Sequence, residues 1–203
     1  LLHQGMRSAH SHGLVGTTAC GFDAAVAFWS GSENDAISIP HLREIANSYP
    51  NRLSLMLSCY LVQRLLRLGR IEDALAEAKR IGLGSGEAGT DTVQDAEELE
   101  KPRYRDLFMA TAIELHLVRQ QYREAESLIA KEYQLAQLDG RTARLVELGL
   151  ARATIEINAG NTANAEKELT LAVGRAARQR IVRPFFDRAE TVSRIVSDTR
   201  PSS

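Results

Sequence analysis

One short phrase recurs along this chain and limits what it can fold into. Ala36, Ala74, Ala125 and Ala165 each stand five residues after Gly31, Gly69, Gln120 or Gly160, so the phrase returns after 38, 51 and 40 residues. Around the second copy it separates two apolar runs with helical spacing. Leu53, Leu57, Leu61, Leu65 and Leu68 form one stripe before Gly69, and Ile71, Ala74, Leu75, Ala78 and Ile81 form one face after it. Met56, Cys59, Val62 and Leu66 fill much of the rest of the first run, so that helix must be covered on more than one side. Gly69-Arg70 interrupts the pattern as a left-handed C-terminal cap does. The unit is a helical hairpin. Tyr104 to Arg119 followed by Gln120-Gln121 and Tyr122, Ala125, Leu128 and Ile129 repeats it, as does Leu145 to Ala159 followed by Gly160-Asn161 and Ala165, Leu169, Val173 and Ala176. Gly13 to Ser30, with Gly31 and Ala36, is a less regular fourth copy, and Pro40 forces a break or a new start in its second helix.

A small side chain at each marker position lets two helices approach to roughly 8 to 10 Å. Runs alternating Val, Ile, Thr and aromatics, which would signal strands, are missing. The fold expected is therefore all-α, a tetratricopeptide-like α-α superhelix of stacked antiparallel hairpins in which no repeat buries its apolar face alone. The expected boundaries are an irregular N-terminal hairpin over 1–50, repeats over 51–82, 102–138 and 141–178, a loop insertion over 83–101, a capping helix over 184–196 and a tail over 197–203.

Charge and motifs narrow the function classes. With 25 Lys and Arg against 26 Asp and Glu, the chain offers no excess positive field to a phosphate backbone, so direct nucleic-acid binding is not expected. No stretch reaches the roughly 20 apolar residues of a membrane span, and Leu1-Leu2-His3 lacks the basic start of a signal peptide, so a cytoplasmic setting is expected. Cys20 and Cys59 both sit in apolar segments without a CxxC pairing, which argues for small core residues and against a disulfide framework.

Gly84-Ser85-Gly86-Glu87-Ala88-Gly89 matches a dinucleotide-binding phrase by letters alone. A helix rather than a strand precedes it, and the carboxylates of Glu87, Asp91 and Asp95 would repel a pyrophosphate. His3, His10 and His12 cluster without a Cys or carboxylate pair at ligand spacing, and His116 between Leu115 and Leu117 reads as a core-edge histidine. No GxSxG, HExxH or Walker phrase occurs. The chain is expected to be non-catalytic, with no metal and no cofactor. A hydrolase or transferase would need two perturbed acids or a His-acid pair in a buried pocket.

Equivalent positions are more informative. Eleven residues before each marker alanine stand Ala25, Gln63, Glu114 and Thr154, all on first helices, which line the concave face of a tetratricopeptide array. Gln63, Glu114 and Thr154 are polar among apolar neighbours and are the candidate ligand-binding residues of the groove; the plainer alternative is a row of solvated positions. Arg64, Arg67, Arg144 and Arg152 would add charge selectivity where they face the same way.

Three phrases carry a family resemblance. They are Asp139-Gly140-Arg141-Thr142-Ala143-Arg144-Leu145-Val146-Glu147-Leu148, then Ala159-Gly160-Asn161-Thr162-Ala163-Asn164-Ala165, and Ile181-Val182-Arg183-Pro184-Phe185-Phe186-Asp187. Together they resemble the superhelical repeat region of large LuxR-family, MalT-like transcriptional regulators, and Leu66 to Ala76 looks like the same family's hairpin phrase. The resemblance implies an effector-sensing and coupling module, placed between a nucleotide-binding ATPase and a helix-turn-helix domain. Neither a P-loop nor a DNA-binding domain lies in these 203 residues, so ATP or promoter binding would belong to other parts of such a protein. The implied partner is a small-molecule inducer or a regulatory protein, with self-association through the repeats, and no functional residue carries over. The alternative is a generic tetratricopeptide adaptor that binds a peptide or a partner helix. Pro184 should start or kink a helix, and the rings of Phe185 and Phe186 should cap the open end of the last hairpin.

Overall fold

The computed structural model of the chain describes residues 43–44, 51–83 and 102–199. Residues 51–83 and 102–199 form eight helices and no strand: α1 (Asn51–Arg67), α2 (Ile71–Arg80), α3 (Pro102–Val118), α4 (Tyr122–Leu138), α5 (Thr142–Asn158), α6 (Thr162–Gln179), α7 (Arg183–Asp187) and α8 (Ala189–Thr199). The all-helical expectation holds for these residues. Most of the hairpin expected over 1–50, including Ala25, Ala36 and Pro40, lies outside the described residues, as does the insertion beyond Leu83.

The chain divides into two compact units, Leu1–Val118 and Arg119–Ser203, so the hairpin expected over 102–138 is split between them, α3 ending the first and α4 opening the second. In the first unit α1 packs against both α2 and α3. This is the double coverage that its apolar circumference demands. Leu57, Cys59, Leu61, Val62 and Leu65 are all buried, together with Ala74 and Ala78 of α2 and Phe108, Ala112 and Ile113 of α3. Arg80 on α2 donates through Nη2 to Glu77 Oε1 and to Ser58 Oγ of α1, both at 2.6 Å, which gives two buried polar groups a shared partner.

In the second unit α5 packs against α4 and α6, and α8 packs against α5 and α6. Val146, Leu150, Ala153 and Ile157 on α5 and Ala165, Leu169, Ala172 and Ala176 on α6 have the same internal spacing and form one core with Ile195 of α8. Gly149 sits at the close approach: a Cβ built there would stand 3.7 Å from Ala172 Cβ.

The joints are alike because the backbone makes them so. Gly69, Gly140 and Gly160 adopt positive φ, and Gln120 does so at 57°. The amide of Arg70 donates to Leu65 O at 2.9 Å, that of Arg141 to Ala136 O at 2.9 Å and that of Asn161 to Glu156 O at 2.8 Å, the six-to-one bond of a Schellman close. Arg70, Gln121, Arg141 and Asn161 then open the next helices without any side-chain cap. Asn161, the one good capping residue type among them, instead donates through Nδ2 to Glu156 Oε2. The marker alanines Ala74, Ala125 and Ala165 are fully buried, and each amide donates at 3.0 Å to the carbonyl of the residue opening its helix.

The C-terminal end departs from expectation. Instead of one capping helix over 184–196 there are two, parted at Arg188 (φ −123°, ψ 34°), and the second runs to Thr199 into the expected tail. Pro184 is buried in the first turn of α7 as expected. Of the two rings, Phe185 packs against the core while Phe186 is 72% exposed, so a single ring does the capping. The residues are adjacent on a five-residue helix and point about 100° apart, so one core cannot take both.

Candidate functional site

The three candidate groove residues meet different surroundings. Gln63, half-buried on α1, donates through Nε2 to Thr111 Oγ1 on α3 at 2.9 Å, and Thr111 passes its own proton to Leu107 O at 2.8 Å. The amide oxygen of Gln63 makes no hydrogen bond among the described residues. Glu114 is half-buried on α3. Both belong to the first unit and Thr154 to the second.

Thr154 is committed to its own unit. Its hydroxyl donates to Leu150 O at 3.0 Å, so the contact with Thr191 Oγ1 at 3.1 Å must be donated by Thr191, and Arg188 Nη1 adds a third bond at 3.2 Å. One proton given and two lone pairs filled exhaust a hydroxyl. A ligand contact at Thr154 would have to displace α8 or Arg188, so in this arrangement the residue fastens the C-terminal helices. Arg194 adds a second fastening, donating to Asn158 Oδ1 at 3.0 Å and to Ile157 O at 3.2 Å, at the C-terminus of α5 where carbonyls lack helical partners.

The four arginines also separate. Arg64 and Arg144 are buried, Arg67 is exposed, and Arg144 Nη1 pairs with Glu147 at 3.0 Å. Arg152 belongs to a cluster that the sequence did not reveal. Its Nε donates to Glu126 Oε1 of α4 at 2.9 Å, and its guanidinium carbon lies 4.9 Å from the centroid of the Tyr133 ring. Arg175 of α6 lies 5.5 Å from the same centroid and donates through Nη2 to the Tyr133 hydroxyl. Two cations thus share one aromatic side chain.

No group of three or more His, Cys, Asp and Glu is placed to hold a metal among the described residues, and His116 is half-buried. Cys59 is fully enclosed, and burial pushes its thiol up from about 9 to about 12, opposed in part by a side-chain hydrogen bond with Thr111. Burial also raises Tyr60, with the neighbouring Cys59 adding to the effect. Such a thiol is the opposite of an activated nucleophile. His3, His10, His12, Cys20 and the Gly84–Gly89 phrase lie outside the described residues. No helix of the described residues is long and apolar enough to cross a membrane.

No protein-family model matches the chain, and no curated protein or solved structure resembles it closely enough to count as a match.

Proposed function

We propose that this chain is a non-catalytic, tetratricopeptide-like repeat domain of a cytoplasmic LuxR-family, MalT-like transcriptional regulator, and that it binds a small inducer or a regulatory partner. On this reading the hairpins stack in phase into a superhelix, with Gln63 and Glu114 on the concave side. The observation that supports it most is the common build of the joints: buried Ala74, Ala125 and Ala165 in one register, with the turns before Ala74 and Ala165 closed by main-chain bonds. Gln63 supports it further, since Thr111 holds its amide nitrogen and leaves its oxygen to accept from a ligand. Binding would act through differential affinity for two arrangements of the whole regulator, favouring the self-associated one.

A thermal-shift screen of the chain against metabolites tests the binding half. A compound that raises Tm should lose affinity in Gln63→Ala or Glu114→Ala while the unliganded Tm stays within a few degrees. Unchanged affinity in both variants refutes the groove assignment. The transcriptional half is tested by the coding region around this segment. A phosphate-binding loop upstream and a helix-turn-helix downstream support it, whereas their absence leaves the plain peptide-binding adaptor.

A further inference from the structure

The cluster around Tyr133 carries more hydrogen-bond donors than acceptors. Arg152 spends Nε on Glu126 and makes no other hydrogen bond among the described residues, which leaves its paired terminal nitrogens. Arg175 spends Nη2 on the Tyr133 hydroxyl, and its Nη1 is shut from solvent with no acceptor among the described residues. The phenol, having accepted from Arg175, still holds its own proton to donate. A buried guanidinium nitrogen without an acceptor carries the full cost of lost hydration, and the face of an aromatic ring offsets part of that cost without supplying a lone pair.

Charge points the same way. Both guanidiniums lie against Tyr133 and only Arg152 pairs with a carboxylate, that of Glu126, among the described residues, so these four side chains together carry one net positive charge. Arg152 and Glu126 keep 24% and 46% of their side-chain surface exposed, so the cluster is reached from solvent. We propose that Arg152, Arg175 and Tyr133 form a recognition site for a carboxylate group. Two carboxylate oxygens supply acceptors to the terminal nitrogens of Arg152 and to the phenol, with Arg175 Nη1 reached only when its side chain swings outward, and one negative charge neutralises the excess. A phosphate dianion would overshoot it. This proposal rests on the binding-module reading above and names the chemistry of one ligand group.

The test follows the arginine Nε–H resonances of the full chain by NMR during titration with succinate, with the uncharged succinamide as control and a short aspartate-rich peptide as a second probe. Saturable shifts of Arg152 and Arg175 with succinate, absent with succinamide, are expected. Affinity should fall about tenfold in R152Q or R175Q, the loss of one charge-assisted bond. Tyr133→Phe should weaken it less, and Arg178→Gln, an exposed arginine one turn beyond Arg175, should leave it unchanged. Saturation by the peptide at far lower concentration than succinate also supports the site, and assigns the carboxylate to a protein partner rather than to a small acid. No saturable shift with either probe in the wild-type chain, or equal shifts with succinamide, overturns the proposal. An uncharged metabolite that binds in the thermal-shift screen while both acids fail would overturn the carboxylate site alone and leave the binding module standing.

Discussion

A methyl group added at Gly149 would rest 3.7 Å from Ala172 Cβ, an ordinary van der Waals separation, at a buried helical position between α5 and α6. Replacing glycine by alanine inside a helix gains about 1 kcal/mol from the backbone entropy no longer lost on folding. Burying one methyl adds up to about 0.8 kcal/mol when it meets a partner without displacing it. Gly149→Ala should therefore stabilise the chain by about 1 to 1.5 kcal/mol, and in a unit of this size that raises Tm by roughly 4 to 10 °C. Gly174 on α6 supplies the control, because a Cβ there meets nothing within 4 Å. Gly174→Ala should show the backbone gain of about 1 kcal/mol and no packing gain. Gly149→Leu must push the helices apart and should cost about 1 to 3 kcal/mol from overpacking. Thermal unfolding of the three variants followed by far-ultraviolet circular dichroism decides the matter. A lower Tm for Gly149→Ala beside a higher Tm for Gly174→Ala would refute the reasoning, since it would mean that α5 and α6 approach more closely than 3.7 Å allows.

Three further outcomes are expected. Ile195→Ala removes a fully enclosed side chain of α8 and should cost about 2 to 5 kcal/mol in chemical denaturation, with α8 becoming the first helix to exchange its amide hydrogens; a cost below about 1 kcal/mol would show that α8 contributes little to this core. Gln120→Gly should stabilise by roughly 0.5 to 1 kcal/mol, since the exposed Gln120 holds φ at 57° where a Cβ is disfavoured, and a neutral or negative change in Tm would contradict that account. The Cys59 thiol, raised on folding from about 9 to about 12, supplies stability that is whole below about pH 9 and drains away as pH rises toward about 12. Melts taken across that alkaline range should fall less steeply for Cys59→Ala than for the wild type, and parallel slopes would remove the assignment.

The helical class and the joints were legible because both depend on local chemistry. The turns at Gly69, Gln120 and Gly160 each precede a small residue that proves fully buried, and helical spacing of leucines marks α1 without reference to any partner. The contacts that decide polar roles are not local. Arg175 and Tyr133 are 42 residues apart on separate helices, and nothing in the letters distinguishes Arg175 from exposed Arg178 three places on. Gln63 and Thr154 were both read as groove residues from their positions in the repeat, but the bonds of Thr154 come from α7–α8 linker residue Arg188 and from Thr191, whose placement depends on a helix break that neither Gly nor Pro announces. Arg64 and Arg144, read as charges that could face a groove, are buried, with guanidinium nitrogens of both shut from solvent.

The connections described for Arg70, Arg141 and Asn161 are fastened by amides and carbonyls, with no side-chain cap at any of them. Every amino acid except proline brings the same main-chain groups, so the letters at these bends are loosely specified while the bend itself is not. Saturation mutagenesis should find them among the most permissive places in the molecule, bordered on one side by a left-handed position that favours glycine and, after Arg70 and Asn161, on the other by a buried alanine with little room for anything larger.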